Sequence, residues 1–156
     1  MIRHVLFSAA VAATASGCAA IPSDAPAYVR ATSAPAGLEN VYIYRKGAYP
    51  TLRSPIIRVN TKEIVSPPEG SYTVFPIVPG VHTVTVEWSW DTGWPNLDFP
   101  IEVKPGESFF LKLSGSFDQV SGSTYSAGSV AQQVEPAAAE AEMAKCCRYI
   151  RPRSLP

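Results

Sequence analysis

The sequence predicts an all-β fold, an antiparallel β-sandwich that carries a short C-terminal α-helix. Runs rich in valine, isoleucine, tyrosine and phenylalanine recur from residue 38 onward, and proline, glycine or asparagine separates them about every 8–12 residues. A stretch of strong helix formers begins only at Pro136. Because no helix is expected between the strands, neighbouring strands are expected to pair antiparallel in two packed sheets.

The first strands are predicted from alternation and from turn residues. Residues 41–45 place Val and Ile on one face and two tyrosines on the other. The β runs 56–59 and 63–65 flank Asn60-Thr61-Lys62, which predicts a hairpin turn. A further apolar run covers 71–78 and ends at a Pro-Gly pair.

Residues 81–90 form the clearest predicted strand, because two sets of side chains alternate over the whole run. Its inward set is His82, Val84, Val86, Trp88 and Trp90. Strands are also predicted at 97–103, 109–113 and 129–134. The Ser/Gly-rich stretch 115–128 is expected to be mobile.

The helix that begins at Pro136 is predicted to pack one apolar stripe on the sheet and to stop at Pro152. The stripe consists of Ala139, Met143, Ile150 and one of the cysteines Cys146 and Cys147. The adjacent cysteines are not expected to bond to each other, because neighbouring Cα atoms lie about 3.8 Å apart and disulfides prefer roughly 4.4–6.8 Å. They are interpreted as small buried hydrophobic residues or as thiols that pair between chains.

The amino-terminal residues resemble a bacterial lipoprotein signal peptide. Arg3 and His4 precede an uncharged run, 5–15, that is too short to span a bilayer, and Ala15-Ser16-Gly17-Cys18 follows. The resemblance implies removal of residues 1–17 and acylation of Cys18 with three chains. The alternative is an ordinary cleaved signal in which Cys18 has no role. Alanines rather than Asp follow the cysteine, which by resemblance favours the outer membrane, facing the periplasm.

The rest of the chain divides by composition. Residues 18–37, rich in Ala, Pro, Ser and Thr, are expected to be a flexible tether about 25 Å across; 38–151 form the domain and 152–156 a tail. Without Arg3 the mature chain has 12 basic and 13 acidic side chains, which argues against a nucleic-acid partner. The cations at the end of the chain either contact an anionic leaflet or are ordinary solvated charges; they are Lys145, Arg148, Arg151 and Arg153.

A family resemblance extends over roughly residues 38–147. Val41-Tyr42-Ile43-Tyr44-Arg45, the turn near Asn60, a Val-Pro-Gly-Val-His-Thr run that begins at Val78, and Pro105-Gly106-Glu107 before an aromatic strand occur in this order. The combination resembles bacterial lipoproteins with a small β-sandwich of unknown function, and the Pro-Gly-x-His-Thr element is similar to PEGA-type domains. This sequence departs from the family at Asn60-Thr61, where Asp-Gly is usual, and in its tryptophan-rich 88–94 stretch. The resemblance implies a fold and an envelope location and brings no catalytic residues.

The residues that could carry chemistry are few. His82 is the only histidine of the mature chain, no Gly-x-Ser-x-Gly motif accompanies it, and it is interpreted as a hydrogen-bonded structural residue. A zinc site would need ligands that His82 and the two cysteines do not supply at suitable spacing. Three acidic residues lack the spacing of a calcium loop and are interpreted as solvated charges: Glu87, Asp91 and Asp98. No metal or cofactor is predicted.

The tryptophans are the best candidates for ligand binding. Trp88 and Trp90 continue the face of Val84 and Val86, so core packing is expected for both. Trp94 lies in a turn before Pro95 and is expected to be exposed, where it could stack on a sugar or anchor a protein partner. The function favoured by the sequence is therefore a non-catalytic binding or structural module, attached to the membrane through lipid on Cys18, with an envelope protein or glycan as partner. The alternative is an envelope hydrolase that uses His82.

Overall fold

The structure is a computed structural model that describes residues 20–48, 53–122 and 124–156. In these ranges nine strands and one α-helix follow one another along the chain. Their bounds are β1 Glu39–Arg45, β2 Ile56–Val59, β3 Lys62–Val65, β4 Ser71–Ile77, β5 Gly80–Glu87, β6 Leu97–Val103, β7 Phe109–Ser121, β8 Thr124–Gln133, α1 Pro136–Cys146 and β9 Arg148–Tyr149. A 3-10 turn, Trp90–Thr92, lies between β5 and β6. The helix does not have the length and apolar character that crossing a membrane requires.

The strands form two packed sheets, which confirms the β-sandwich. Sheet A has the order β8-β7-β1-β4-β9 and sheet B the order β3-β2-β5-β6. Most pairs are antiparallel, but β1 pairs parallel with β7 and β4 parallel with β9. The members of each parallel pair are distant in sequence, so no tight hairpin forces them to be antiparallel.

The main core lies between the sheets and is built from the alternating inward positions of both. It includes Val41 and Ile43 of β1, Val84 and Val86 of β5, and Leu111 of β7. The β2–β3 turn has the predicted place, with Asn60 at φ 50° and Thr61 at φ 70°. Two positive φ angles are what a tight hairpin turn of this hand requires.

A second, smaller core lies on the outer face of sheet A. Tyr42 and Tyr44 of β1 pack there with Phe110, under Ala139 and Met143 of the helix. The predicted helix and its contact through Met143 are therefore confirmed. The prediction was wrong for Ile150, because the helix ends at Cys146 and the chain then pairs with β4 as β9, which carries Ile150 to the core between the sheets.

Residues 20–37 do not form the free tether that their composition predicts. Ala27 pairs with Arg148 of β9, and the tyrosine hydroxyls of the outer face accept hydrogen bonds from this segment. The Val29 amide donates to Tyr72 Oη (3.2 Å), and the Ala31 amide donates to Tyr42 Oη (3.0 Å). The segment is held by these backbone hydrogen bonds and by Tyr28, whose ring packs on Tyr72.

The described residues of the stretch 115–128, which was predicted to be mobile, belong instead to the long hairpin of β7 and β8. Pairing runs from Leu111 opposite Gln133 to Ser121 opposite Thr124. β7 also pairs with β1 as far as Arg45 opposite Leu113, so the hairpin continues beyond that end of the sandwich. Its ladder of backbone hydrogen bonds needs no apolar side chains, which explains why Ser and Gly are accepted there.

The C-terminal residues cross from one sheet to the other. The Ile150 amide donates to Tyr72 O of sheet A, and the Arg153 amide donates to Ile64 O of sheet B. Arg153 also forms an ion pair with Glu63, and Ser154 Oγ donates to Glu63 O. We call residues 148–154 together with Lys62 and Glu63 the tail edge.

Cys146 and Cys147 form a disulfide, contrary to the sequence prediction, with their Cα atoms 3.7 Å apart. The backbone changes from helical to extended between them, because Cys147 caps the helix at φ −119° and ψ 142°. This change directs the two side chains towards each other. Cys147 is buried in the outer core and Cys146 is half-buried.

Candidate functional site

The loop after β5, together with the end of β1, forms the best candidate site. Trp88 is the last inward residue of the β5 run and is buried. Its amide donates to Asn96 Oδ1 (2.9 Å), and its indole Nε1 donates to Ser129 Oγ (3.1 Å) across the sandwich. These bonds hold Trp88 between the two sheets.

Trp90 is exposed, which corrects the prediction that it continues the core face of Trp88. β5 ends at Glu87, so the alternation of the strand stops before Trp90. The 3-10 turn then directs the indole to solvent, with 94% of its surface exposed. Hydrogen bonds to Ser89 O from the amide and hydroxyl of Thr92 (3.0 and 2.7 Å) stabilise the turn.

Trp94 is half-buried, so the prediction that it is the exposed tryptophan was wrong. Its ring packs on Trp88, with centroids 5.0 Å apart and planes tilted by 58°. Its amide donates to Thr92 Oγ1 (3.2 Å). Gly93, at φ 68°, reverses the chain and returns Trp94 to the core. A turn that continued without this reversal would have left Trp94 in solvent. Trp94 therefore supports the loop, and the solvent-facing aromatic is Trp90.

Arg45 lies directly beneath this loop and is fully buried. It follows Val41 and Ile43 at period two, so it points into the sandwich. Its guanidinium donates to the carbonyl oxygens of Arg53 (2.7 Å), Ala48 (2.8 Å) and Pro67 (3.1 Å). It also lies 5.2 Å from the ring centroid of Trp88, in cation–π contact. One side chain thus fixes both the β1–β2 and the β3–β4 connection.

Glu69 forms an ion pair with the buried guanidinium of Arg45. Burial lowers the pKa of Arg45 to about 10, and Glu69, whose Oε2 lies 3.5 Å from Nε, opposes that shift. The Glu69 carboxylate also accepts hydrogen bonds from the amides of Gly47 and Ala48. Arg45 remains a cation at neutral pH. It was not recognised from the sequence as a site residue, although its inward phase on β1 was the available signal.

Arg53 joins the Trp90 turn to the same network. Its Nη2 lies 2.6 Å from Asp91 Oδ2, and its Nε donates to the same oxygen at 2.8 Å. Because the Arg53 carbonyl accepts from Arg45, a continuous set of contacts leads from the buried guanidinium to the residue beside Trp90. The exposed indole is therefore carried on a turn with a fixed base.

A groove of about 510 Å³ lies along the open side of the sandwich, between β6 and β8. Both flanking strands are at sheet edges. The groove is lined by Asn96, Leu97, Asp98, Phe99, Ser129, Val130 and Ala131. Asn96 and Ser129 also hydrogen-bond Trp88, so the groove adjoins the tryptophan loop and offers apolar surface next to it.

His82 is buried at the other end of the sandwich and has the structural role that the sequence predicts. Nε2 lies 2.8 Å from Val78 O and Nδ1 lies 2.8 Å from Asn60 Nδ2, so the first nitrogen donates and the second accepts. Asn60 Oδ1 in turn accepts from the Thr83 amide (3.1 Å). Both ring nitrogens are therefore occupied in bracing the β2–β3 turn.

The acidic residues weighed as calcium ligands each have a separate partner. Glu87 pairs with Arg58 (3.0 Å), Asp91 with Arg53, and Asp98 Oδ1 accepts from Thr85 Oγ1 (2.6 Å). Within the described ranges, no three His, Cys, Asp or Glu side chains come together in a way that could hold a metal ion.

Cys18, the predicted lipidation site, lies outside the described residues. Comparison with family models, with curated proteins and with solved structures finds no match. The case for the candidate site therefore rests on its geometry alone: an exposed tryptophan, on a turn held by hydrogen bonds and an ion pair, lies beside an apolar groove.

Proposed function

We propose that this protein is a lipid-anchored cell-envelope protein whose β-sandwich binds another envelope component without catalysing a reaction. The anchoring half rests on the leader, which combines a short apolar run with Ala15-Ser16-Gly17-Cys18. Ala19 and Ala20, in place of an Asp, favour the periplasmic face of the outer membrane.

The observation that carries the binding half is Trp90. A large aromatic side chain exposed to 94% is costly to keep in water, and it offers a strong anchor to a partner. The ion pair of Arg53 with Asp91 and the bonds at Ser89 already fix the turn, so little conformational entropy is lost on binding. The adjoining groove between β6 and β8 supplies apolar surface for the remainder of a protein or glycan ligand.

Anchoring is tested by mass spectrometry of the amino-terminal peptide from the membrane fraction of a Gram-negative host. We expect the mature chain to begin at Cys18 with acyl groups attached, and Cys18→Ser to appear in the soluble fraction. The matched control is the double variant Cys146→Ser/Cys147→Ser, which removes the other two cysteines and should stay in the membrane. An unmodified Cys18, or a mature terminus elsewhere, contradicts the anchor.

Binding is tested by photocrosslinking in intact cells. A photoreactive residue at Trp90 is compared with one at Val81, which is also well exposed but lies on the far end of β5. We expect a defined crosslinked protein or glycan from position 90 that position 81 does not give. The same products from both positions would remove the case for a site at Trp90.

A further inference from the structure

The first described residues are held at one corner of sheet A. Gly70, which precedes β4, is so close to Ile21 that a Cβ added to it would lie 3.7 Å from Ile21 Cδ1. Ala25 is buried, and its carbonyl accepts from the Arg148 guanidinium (3.3 Å). The docked segment therefore starts beside β9, at the outer strand of the sheet.

This placement limits the distance between the domain and the anchor. Cys18 precedes Ala20 by two residues, and an extended chain spans at most about 3.6 Å per residue. The Cα atoms of these two residues are thus no more than about 7 Å apart. A lipid on Cys18 keeps the β9 corner of the sandwich at the membrane surface.

The β7–β8 hairpin decides how the domain can lie there. It continues eight residues beyond Leu113, the partner of Arg45, which at about 3.3 Å per residue is roughly 26 Å. Its sequence from 114 to 124 is mostly Ser, Gly, Thr, Asp and Gln. Suppose that the end of the sandwich at which Arg45 and Leu113 pair faced the membrane. The hairpin would then carry polar groups through the headgroups into hydrocarbon, which is strongly unfavourable. β7 and β8 lie on the opposite side of sheet A from β9, so laying the β9 side on the membrane avoids the clash.

The side that then faces the membrane is basic. On the tail edge, Lys62, Arg148 and Arg151 are exposed, and Arg153 is 61% exposed beside Glu63. Lys145, at the end of the helix, adds a cation near the same corner, and Asp24 adds an anion. The side chains named along this side are five basic and two acidic, although the whole chain has no net charge. Glu69, also near this corner, is directed to Arg45.

We propose that the protein lies edge-on against the membrane, with the tail edge and Lys145 contacting the headgroups of anionic phospholipids. This orientation rests on the proposed lipid anchor at Cys18. It leaves the groove between β6 and β8 on the side away from the bilayer, because these strands are at the opposite edges of their sheets from β9 and β3.

The orientation is tested by lysine acetylation of the full-length lipidated protein inserted from outside into preformed vesicles. The vesicles consist of phosphatidylcholine alone or of phosphatidylcholine with one quarter phosphatidylglycerol. Peptide mass spectrometry compares Lys62 and Lys145 with Lys104, an exposed lysine that follows β6 at the opposite edge of sheet B. We expect phosphatidylglycerol to slow acetylation of Lys62 and Lys145 at least fivefold and to leave Lys104 unchanged, and we expect high salt to reverse the effect.

Charge reversal sharpens the test. Arg151→Glu and the double variant Arg148→Glu/Arg151→Glu are expected to restore acetylation of Lys62, and the matched control Lys104→Glu should keep it slow. Arg151 is exposed, so the single variant is expected to fold, and it tests the orientation without removing the Arg148 bond to Ala25. If the protein is lipidated but phosphatidylglycerol slows the acetylation of Lys62 no more than that of Lys104, the proposed orientation is wrong and the anchor still stands. A protein without acyl groups on its amino-terminal peptide overturns both.

Discussion

Replacing Arg45 by methionine tests whether the buried guanidinium holds the loops of the candidate site together. Methionine keeps an unbranched apolar stem but removes three hydrogen bonds to carbonyl oxygens, the ion pair with Glu69 and the cation–π contact with Trp88. The three carbonyl groups and the carboxylate remain, so the change leaves polar groups without the cation that they face.

The size of the effect follows from these contacts. Removing one partner of a buried ionic network costs about 3–5 kcal/mol, because the remaining groups lose compensation that water cannot fully replace. Native domains are stable by only about 5–15 kcal/mol. We therefore expect the free energy of unfolding to fall by about 4 kcal/mol. At roughly 3 °C per kcal/mol for a chain of this size, the melting temperature should fall by about 12 °C.

Urea unfolding monitored by tryptophan fluorescence suits this measurement, because Trp88 lies against Arg45. Arg45→Lys should give an intermediate loss, since it keeps the charge but not the planar fork of donors. Arg148→Met is the matched control; it removes an exposed arginine with one long bond to Ala25 and should cost less than about 0.5 kcal/mol. If Arg45→Met unfolds within 1 kcal/mol of the wild type, roughly a quarter of the expected loss, the assigned role of Arg45 is wrong.

Three further predictions concern packing, exposure and pH. Met143→Ala should lower stability by about 2–5 kcal/mol, because the side chain is fully buried between the helix and sheet A. Exposed Lys145→Ala should have little effect in the same urea titration, and equal midpoints would contradict the contact. Trp90→Ala should change stability by less than about 0.5 kcal/mol and weaken crosslinking to the partner, whereas half-buried Trp94→Ala should cost about 2 kcal/mol; the reverse order would refute the assignment. Burial raises the pKa of Tyr28 to about 12 and also raises the pKa of Tyr42, Tyr44 and Tyr72. The folded state therefore holds these protons more tightly than the unfolded state. We expect the stabilisation from these tyrosines to be fully present below pH of about 10 and to be lost as the pH rises further. Arg45, whose pKa is lowered, acts in the opposite direction above pH of about 10, but it is one group and the tyrosines are four. Phenolate absorbance that rises before the fold is lost would contradict the prediction.

The strands with strict alternation were predicted from the sequence because period two and turn residues are local signals. The run 97–103 coincides with β6, and Asn60-Thr61 is the turn between β2 and β3. On β1, alternation separates Val41 and Ile43 from the two tyrosines, and the structure buries the two faces in different cores. The same alternation places Arg45 inward, but a single buried cation can be identified only once the carbonyl groups that surround it are known.

The features that the sequence did not reveal depend on contacts between distant residues. β9 has two residues, too few to show a period, and residues 20–37 dock through backbone amides and tyrosine hydroxyls. The exchange of Trp90 and Trp94 between exposed and half-buried positions arises from the end of β5 at Glu87 and the reversal at Gly93. The positions of both tryptophans thus depend on where β5 stops, and sequence propensity defines the end of an element only to within a few residues.

The closure of the sandwich at the tail edge also has a consequence for folding. Arg148 reaches Ala25 across 123 residues of chain, and Arg153 reaches Glu63 across 90. Contacts this distant in sequence form late, because the loop between them must be closed first. On the proposed export route, which delivers the amino terminus first, β3 and β4 stay uncovered at this edge until residues 148–154 have emerged. Docking of residues 148–154 therefore closes this edge of the sandwich late in folding, after the strands that it covers have left the channel.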